Sequence, residues 1–165
     1  MFLTPLTSKV VAYSAVPNFD ADSCIDWAIE MIELGYTCGY ILVLAGLSKP
    51  ANYFETISYL NKALAQLHLQ PKTGEDGIIS YCSYYISVIA GGENVKNNLD
   101  IVHQLASNLE PNSMTYNFCL LRWAWDDLDY DENAFPTYWD NATKNNIEQL
   151  VIDEAKNWLE KNKPV

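Results

Sequence analysis

Basic side chains are scarce in this sequence. Nine lysines and a single arginine, Arg122, face twenty-one acids, for a formal charge of −11. That balance argues against a protein that lives on nucleic-acid phosphates, because such binding rests on cations that release counterions. Glycine and proline are also few, seven of each, which argues against a collagen-like or low-complexity chain. With 49% apolar residues it is no disordered tail. The longest uninterrupted apolar or glycine run, Cys38 to Leu47, falls far short of the roughly twenty residues a membrane-spanning helix needs. The first twenty residues carry one base, Lys9, and lack the charged, apolar and small-residue pattern of a signal peptide, so a cytoplasmic location is expected.

Chemistry-bearing motifs are missing too. Cys24, Cys38, Cys82 and Cys119 form no C-x-x-C pair, and only His68 and His103 stand by to complete a metal site, so free thiols packed in helices are expected and zinc is not. There is no G-x-S-x-G, no G-x-x-x-x-G-K-[ST], no G-x-G-x-x-G and no H-E-x-x-H, and neither an enzyme nor a cofactor is expected. His68, near a helix end, suits the helix dipole, and His103, beside Val102, suits a core margin.

What is present is helical periodicity. Ile25, Ala28, Ile29 and Ile32 fall at i, i+3, i+4 and i+7 after a capping Asp22 or Ser23 and before Gly35, which predicts a helix. A short segment follows over 40–45. A helix opening at Ser48 and Pro50 carries the stripe Tyr53, Ile57, Leu60, Leu64 and Leu67 and should end near Leu69 to Pro71. Ile78 to Ala90 is apolar around most of its circumference, as a central helix is. Val95, Leu99, Val102, Leu105 and Leu109 predict the next, Ser113 to about Asp127 the sixth, and Thr143 to about Glu160 the seventh, with Ile147, Leu150, Val151, Ala155, Trp158 and Leu159 on one face. Strand evidence is limited to residues 9–16. The expected architecture is therefore all-α: a single domain over 1–165, an orthogonal helical bundle or short array of antiparallel helix pairs with about seven helices. An irregular segment over 1–20 and an acidic-aromatic loop over 128–142 complete it. No Pro, Gly or Ser-rich linker divides the chain, and the oligomeric state is not written in it.

The sixth helix and its exit attract attention because five acids, Asp126, Asp127, Asp129, Asp131 and Glu132, crowd into seven positions. A helix C-terminus disfavours anions, so Asp126 and Asp127 call for a compensating partner such as Arg122, a metal or an external cation. Trp123 and Trp125 lie about 200° apart around the helix and cannot share one core face; a fully buried helix would account for both, as would a contact surface. Together with Tyr130, Phe135, Tyr138 and Trp139, the stretch combines aromatic anchors with carboxylates, the composition of a surface that captures a basic protein face. The candidate partner-binding residues are Trp125, Asp126, Asp127, Asp129, Tyr130, Asp131, Glu132 and Trp139.

Two other readings use the same region or the same helices. Asp129, Asp131, Asn133 and Asp140 occupy positions 1, 3, 5 and 12 of an EF-hand loop, yet position 6 is Ala134 where Gly makes the turn, position 8 is Pro136 and position 12 is Asp rather than Glu. A calcium- or metal-binding helical domain is thus one alternative. A helical-repeat-like adaptor that holds a peptide between helices is the other.

In size, acidity, helical character and the stretch Trp123-Ala-Trp-Asp-Asp-Leu-Asp-Tyr, the chain resembles the immunity proteins that bacteria make against polymorphic or contact-delivered toxins. The resemblance implies stoichiometric inhibition of a cognate toxin, commonly a basic nuclease, by an acidic face that docks on it. From the charge and the short apolar runs, neither a nucleic-acid nor a membrane partner is expected.

Overall fold

A computed structural model describes residues 3–111, 113–131, 133, 135 and 137–162. Among them are eight α-helices and no strand: α1 (Leu6–Val10), α2 (Asp22–Glu33), α3 (Gly39–Ala45), α4 (Tyr53–Gln66), α5 (Gly74–Ala90), α6 (Val95–Ala106), α7 (Tyr116–Tyr130) and α8 (Ile147–Lys161). The protein is all-α, as the periodicity requires. No helix among the described residues is long and apolar enough to cross a membrane. The chain gathers into two compact units that meet in sequence between Tyr81 and Cys82, inside α5.

In the first unit α1 packs on α2, α2 on α3 and α3 on α4. Residues 1–20 were expected to be irregular, with strand character over 9–16. Instead α1 forms there and is buried along its length, and Val10, Val11 and Ala12 are wholly enclosed. A run enclosed on every side needs no strand alternation, and the polar residues within it are satisfied where they lie. The Trp27 indole N–H donates to Thr7 Oγ1 at 3.0 Å, Ser80 Oγ donates to the Ser8 carbonyl at 2.9 Å, and the Lys9 ammonium stands 5.8 Å from the Tyr81 ring centre.

Helix α2 is turned in part from its expected facing, with Ile25 and Ala28 buried as expected. Cys24, Trp27, Ala28 and Met31 are its innermost residues, whereas Ile29 is 44% exposed. Both stripes have helical spacing; the one containing Trp27 wins because the largest side chain also brings a hydrogen bond inward. Asp20 rather than Asp22 or Ser23 does the capping, its carboxylate accepting from the Asp22 backbone N–H and the Ser23 hydroxyl.

Helix α4 starts later than Ser48 because residues 49–51 are tied to α2: Lys49 pairs with Asp26 at 2.6 Å, and the Ala51 N–H donates to Asp22 Oδ1 at 2.7 Å. Asn52 then caps α4 through the Glu55 N–H. The helix stops at Gln66, where His68 takes a left-handed φ of 57° and the Leu69 N–H returns to the Leu64 carbonyl, a closure that satisfies the last carbonyls. Its stripe is as expected at Leu60, Leu64 and Leu67, whereas Tyr53 in the first turn is exposed.

In the second unit α6 packs against both α7 and α8, and α7 against α8. Ile86, Ile89, Leu99, Val102, Phe118, Leu121, Val151 and Ala155 make its core, largely the residues the helical period selected. Trp158 closes one end, its indole N–H donating to the Met114 carbonyl at 2.8 Å. Four boundaries differ from expectation, and the first is that α6 stops at Ala106, short of Leu109. Helix α7 starts at Tyr116 instead of Ser113 and runs to Tyr130 instead of Asp127, so the loop begins at 131. Helix α8 begins at Ile147 instead of Thr143, because the Asn146 side chain accepts from the Thr143 N–H and donates to the Asn141 carbonyl, closing a turn ahead of the helix.

One glycine is dictated by space. A Cβ on Gly77 would lie 2.4 Å from Ala15 Cβ and 2.8 Å from the Lys72 carbonyl oxygen, whereas a Cβ on Gly39 would meet nothing within 4 Å. Gly77→Ala should therefore destabilise by about 1–3 kcal/mol through overpacking, and Gly39→Ala should be neutral or stabilising by about 0.4–1 kcal/mol. Urea unfolding of the two variants checks the pair; equal effects would contradict the close approach.

Candidate functional site

The candidate residues lie on the last turns of α7 and the segment that follows it. Phe118, Cys119, Leu121, Ala124 and Leu128 form the buried face of α7, which leaves Trp123 and Trp125 at its two margins. Neither is fully buried, so the fully buried helix is not what accommodates them. Trp123 stands in an aromatic cluster with Tyr138 at 5.5 Å, His103 at 5.9 Å and Tyr116 at 6.2 Å between ring centres. Tyr138 thereby anchors the loop back onto the helix, helped by the burial of Ala142. His103 sits half-buried against Trp123, at the core margin its place in sequence suggested.

The acids are partly compensated from within. Arg122, the one arginine, bridges Asp100 of α6 and Asp126 one turn further along α7. Burial alone would lower its pKa; the hydrogen bonds to Asp126 and Asp100 outweigh that and raise it. Lys96 of α6 pairs with Asp129 and also stands over the Trp125 ring, 5.7 Å from its centre. With these two cations in place the helix carries its carboxylates past the expected stop at Asp127. Arg122 was foreseen as a compensating partner. Lys96, Asp100 and His103 were not, although their spacing of i, i+4 and i+7 puts them on one face of α6 and was the available signal.

The rest of the acidic-aromatic set has no such cover. Among the described residues no cation reaches Asp127, Asp131 or Asp140; Asp127 is half-buried and the other two are exposed. Tyr130 is 95% and Phe135 85% exposed. Trp139 is half-buried. Glu132 lies outside the described residues, as do Ala134 and Pro136 of the EF-hand pattern. Asp129, the first position of that pattern, is inside α7 and engaged by Lys96. No group of three or more His, Cys, Asp or Glu side chains that could hold a metal ion gathers among the described residues.

Elsewhere, an open cavity of about 370 Å³ lies in the first unit between Leu3, Thr4, Pro5, Glu30, Glu33 and Leu34 and holds none of the candidate residues. Three of the four thiols are buried. Desolvation pushes the Cys24 and Cys82 thiols up to about 12 and raises Cys119, so at neutral pH they stay protonated and poorly nucleophilic. No protein-family model matches the chain, and neither a curated protein nor a solved structure is found to be similar to it.

Two measurements follow. Because an unfolded thiol ionises near pH 9 and the buried ones only near 12, they leave stability unchanged below pH 9 and erode it as pH rises between the two. Each thiol adds a slope of up to about 1.4 kcal/mol per pH unit. Urea midpoints from pH 8 to about 10.5 should show a shallower fall in Cys24→Ala and Cys82→Ala than in the unmodified chain; identical slopes would refute the assignment. Arg122→Met, which strands two carboxylates, should cost about 1–2 kcal/mol, whereas Asp126→Asn, which leaves Arg122 paired with Asp100, should cost less than about 0.5 kcal/mol. A larger loss from Asp126→Asn would place the anchor at the wrong pair.

Proposed function

We propose that this chain is a protein-binding module whose acidic-aromatic surface at the end of α7 takes a basic protein, and that it acts as an immunity protein that neutralises a toxin. One observation carries the reading: Tyr130 and Phe135 are almost wholly exposed on a segment whose carboxylates Asp127, Asp131 and Asp140 find no internal cation among the described residues. Exposed aromatic rings beside unpaired charge contribute nothing to the fold and supply both halves of an interface. Each ring would bury 150 Å² or more on binding, by the usual size of aromatic side chains. The carboxylates would steer a basic partner and set the salt sensitivity of the complex. Inhibition follows if the partner's basic face is its nucleic-acid groove, since a carboxylate array occupies the place of phosphates.

The adaptor reading retains one supporting observation in the first unit, where Leu42 of α3 and Phe54 of α4 are exposed, Phe54 to 83%. That surface carries no comparable charge.

The test is capture from the native cell lysate at low and high salt, with two variants. Tyr130→Ala/Phe135→Ala should keep the helical circular-dichroism signal and melting temperature and weaken capture of a basic protein at least thirtyfold, the loss of a central aromatic anchor. Asp127→Lys/Asp131→Lys should abolish the salt-sensitive part. The captured protein, purified, should lose its toxic activity at a one-to-one ratio with the unmodified chain. A partner retained equally by both variants removes this surface from the interface, and one whose activity persists in the complex removes the immunity reading.

A further inference from the structure

Resting on the acidic-aromatic surface just proposed, we infer that Trp125 and Asp129 form an ammonium-binding slot, filled by the chain's own Lys96 in the free protein and taken by a lysine side chain of the partner in the complex. Trp125 and Asp129 are four residues apart and so share one face of α7. The pair offers an indole ring and a carboxylate to the same cation, and a cation is there: the Lys96 ammonium is ion-paired with Asp129 and stands 5.7 Å from the centre of the Trp125 ring. The chemistry of the slot is therefore read from its occupant rather than from the acids alone. A compact ammonium satisfies both groups; an aromatic face attracts it through the ring quadrupole and the carboxylate through its charge.

The occupant is replaceable. The Lys96 and Asp129 side chains are 41% and 40% exposed, and exposed pairs of this kind hold weakly against water and salt. Arg122 presents the contrasting case. Its side chain is only 16% exposed and engages two carboxylates from two helices, so it is an anchor, whereas Lys96 reaches the slot from the rim. A lysine from a basic partner that displaced Lys96 would exchange one ammonium for another at little net change. Freeing Lys96 would turn its ammonium to solvent beside the incoming charge. Lys96 thus lowers affinity for any basic surface and sets a threshold that only a partner with further contacts, such as those to Tyr130 and Phe135, would pass.

The experiment uses the full chain and a fluorescently labelled decalysine peptide, with affinity read by anisotropy at low ionic strength. Lys96→Ala should bind about fivefold to tenfold more tightly than the unmodified chain, the combined size of an exposed ion pair and a cation–π contact. Lys156→Ala, which removes the same charge from an exposed site on α8, should gain less than twofold. Adding Trp125→Leu, which leaves the charge untouched, or Asp129→Asn to Lys96→Ala should erase the gain, while adding Asp153→Asn should keep it. Equal gains from Lys96→Ala and Lys156→Ala, or a gain that survives Trp125→Leu, would overturn the slot. If decalysine binds and is released by Tyr130→Ala/Phe135→Ala while Lys96→Ala gains nothing, the slot falls and the surface stands. If decalysine binds none of these proteins, both fall.

Discussion

Carboxylates at the C-terminal end of a helix oppose both the backbone dipole and one another, and α7 ends in three of them, Asp126, Asp127 and Asp129. The helix persists to Tyr130 because Leu128 is buried in the core and Arg122 ties Asp126 back to Asp100 of α6, with Lys96 adding a weaker, more exposed pair at Asp129. Much else in the second unit follows from that pairing. It sets the margin of α7 on which Trp125 lies, it leaves Trp123 on the opposite margin to gather Tyr116, Tyr138 and His103, and it sends the chain out beyond Tyr130 with its remaining acids unopposed. A chain with one arginine has placed it where two carboxylates from different helices need it.

The first unit solves a different problem. Its charge is lighter, eight acids against four bases over residues 1–83, but it buries polar side chains in α1. Buried polar groups need partners inside: Trp27 donates to the Thr7 hydroxyl, Tyr81 lies beneath the Lys9 ammonium, and Ser80 donates to the Ser8 backbone carbonyl. Here the polar groups fix which way the helices face, a role that in the second unit is shared between the apolar core and the ion pairs.

The helical class, seven of the eight helix positions and most of the second unit's core were legible because stripes such as Val95, Leu99, Val102 and Ile147, Val151, Ala155 admit one facing only. The facing of α2 was legible only in part: Ile25 and Ala28 lie inside as expected, but Cys24, Trp27 and Met31 fit the period equally well, and Trp27, hydrogen-bonded to Thr7, takes the inner face while Ile29 turns outward. Helix α1 was hidden because five residues are too few to show a period and its polar members looked like solvent-facing loop. At the candidate site, sequence proximity revealed the acids, the aromatics and Arg122. Lys96 and Asp100 lie over twenty residues upstream of their partners, and no local pattern connects them; only the packing of α6 on α7 does.

The boundary between the units falls inside α5 rather than in a loop, and this bears on how such a chain can change over generations. A loop absorbs inserted or deleted residues, but a helix transmits them as rotation, about 100° for each residue. One codon gained between Cys82 and Ile86 would put Cys82 on a different face from Ile86 and Ile89, three residues that now share one core. Length changes within α5 must therefore preserve helical phase as well as reading frame, a constraint that a loop at the same place would not impose.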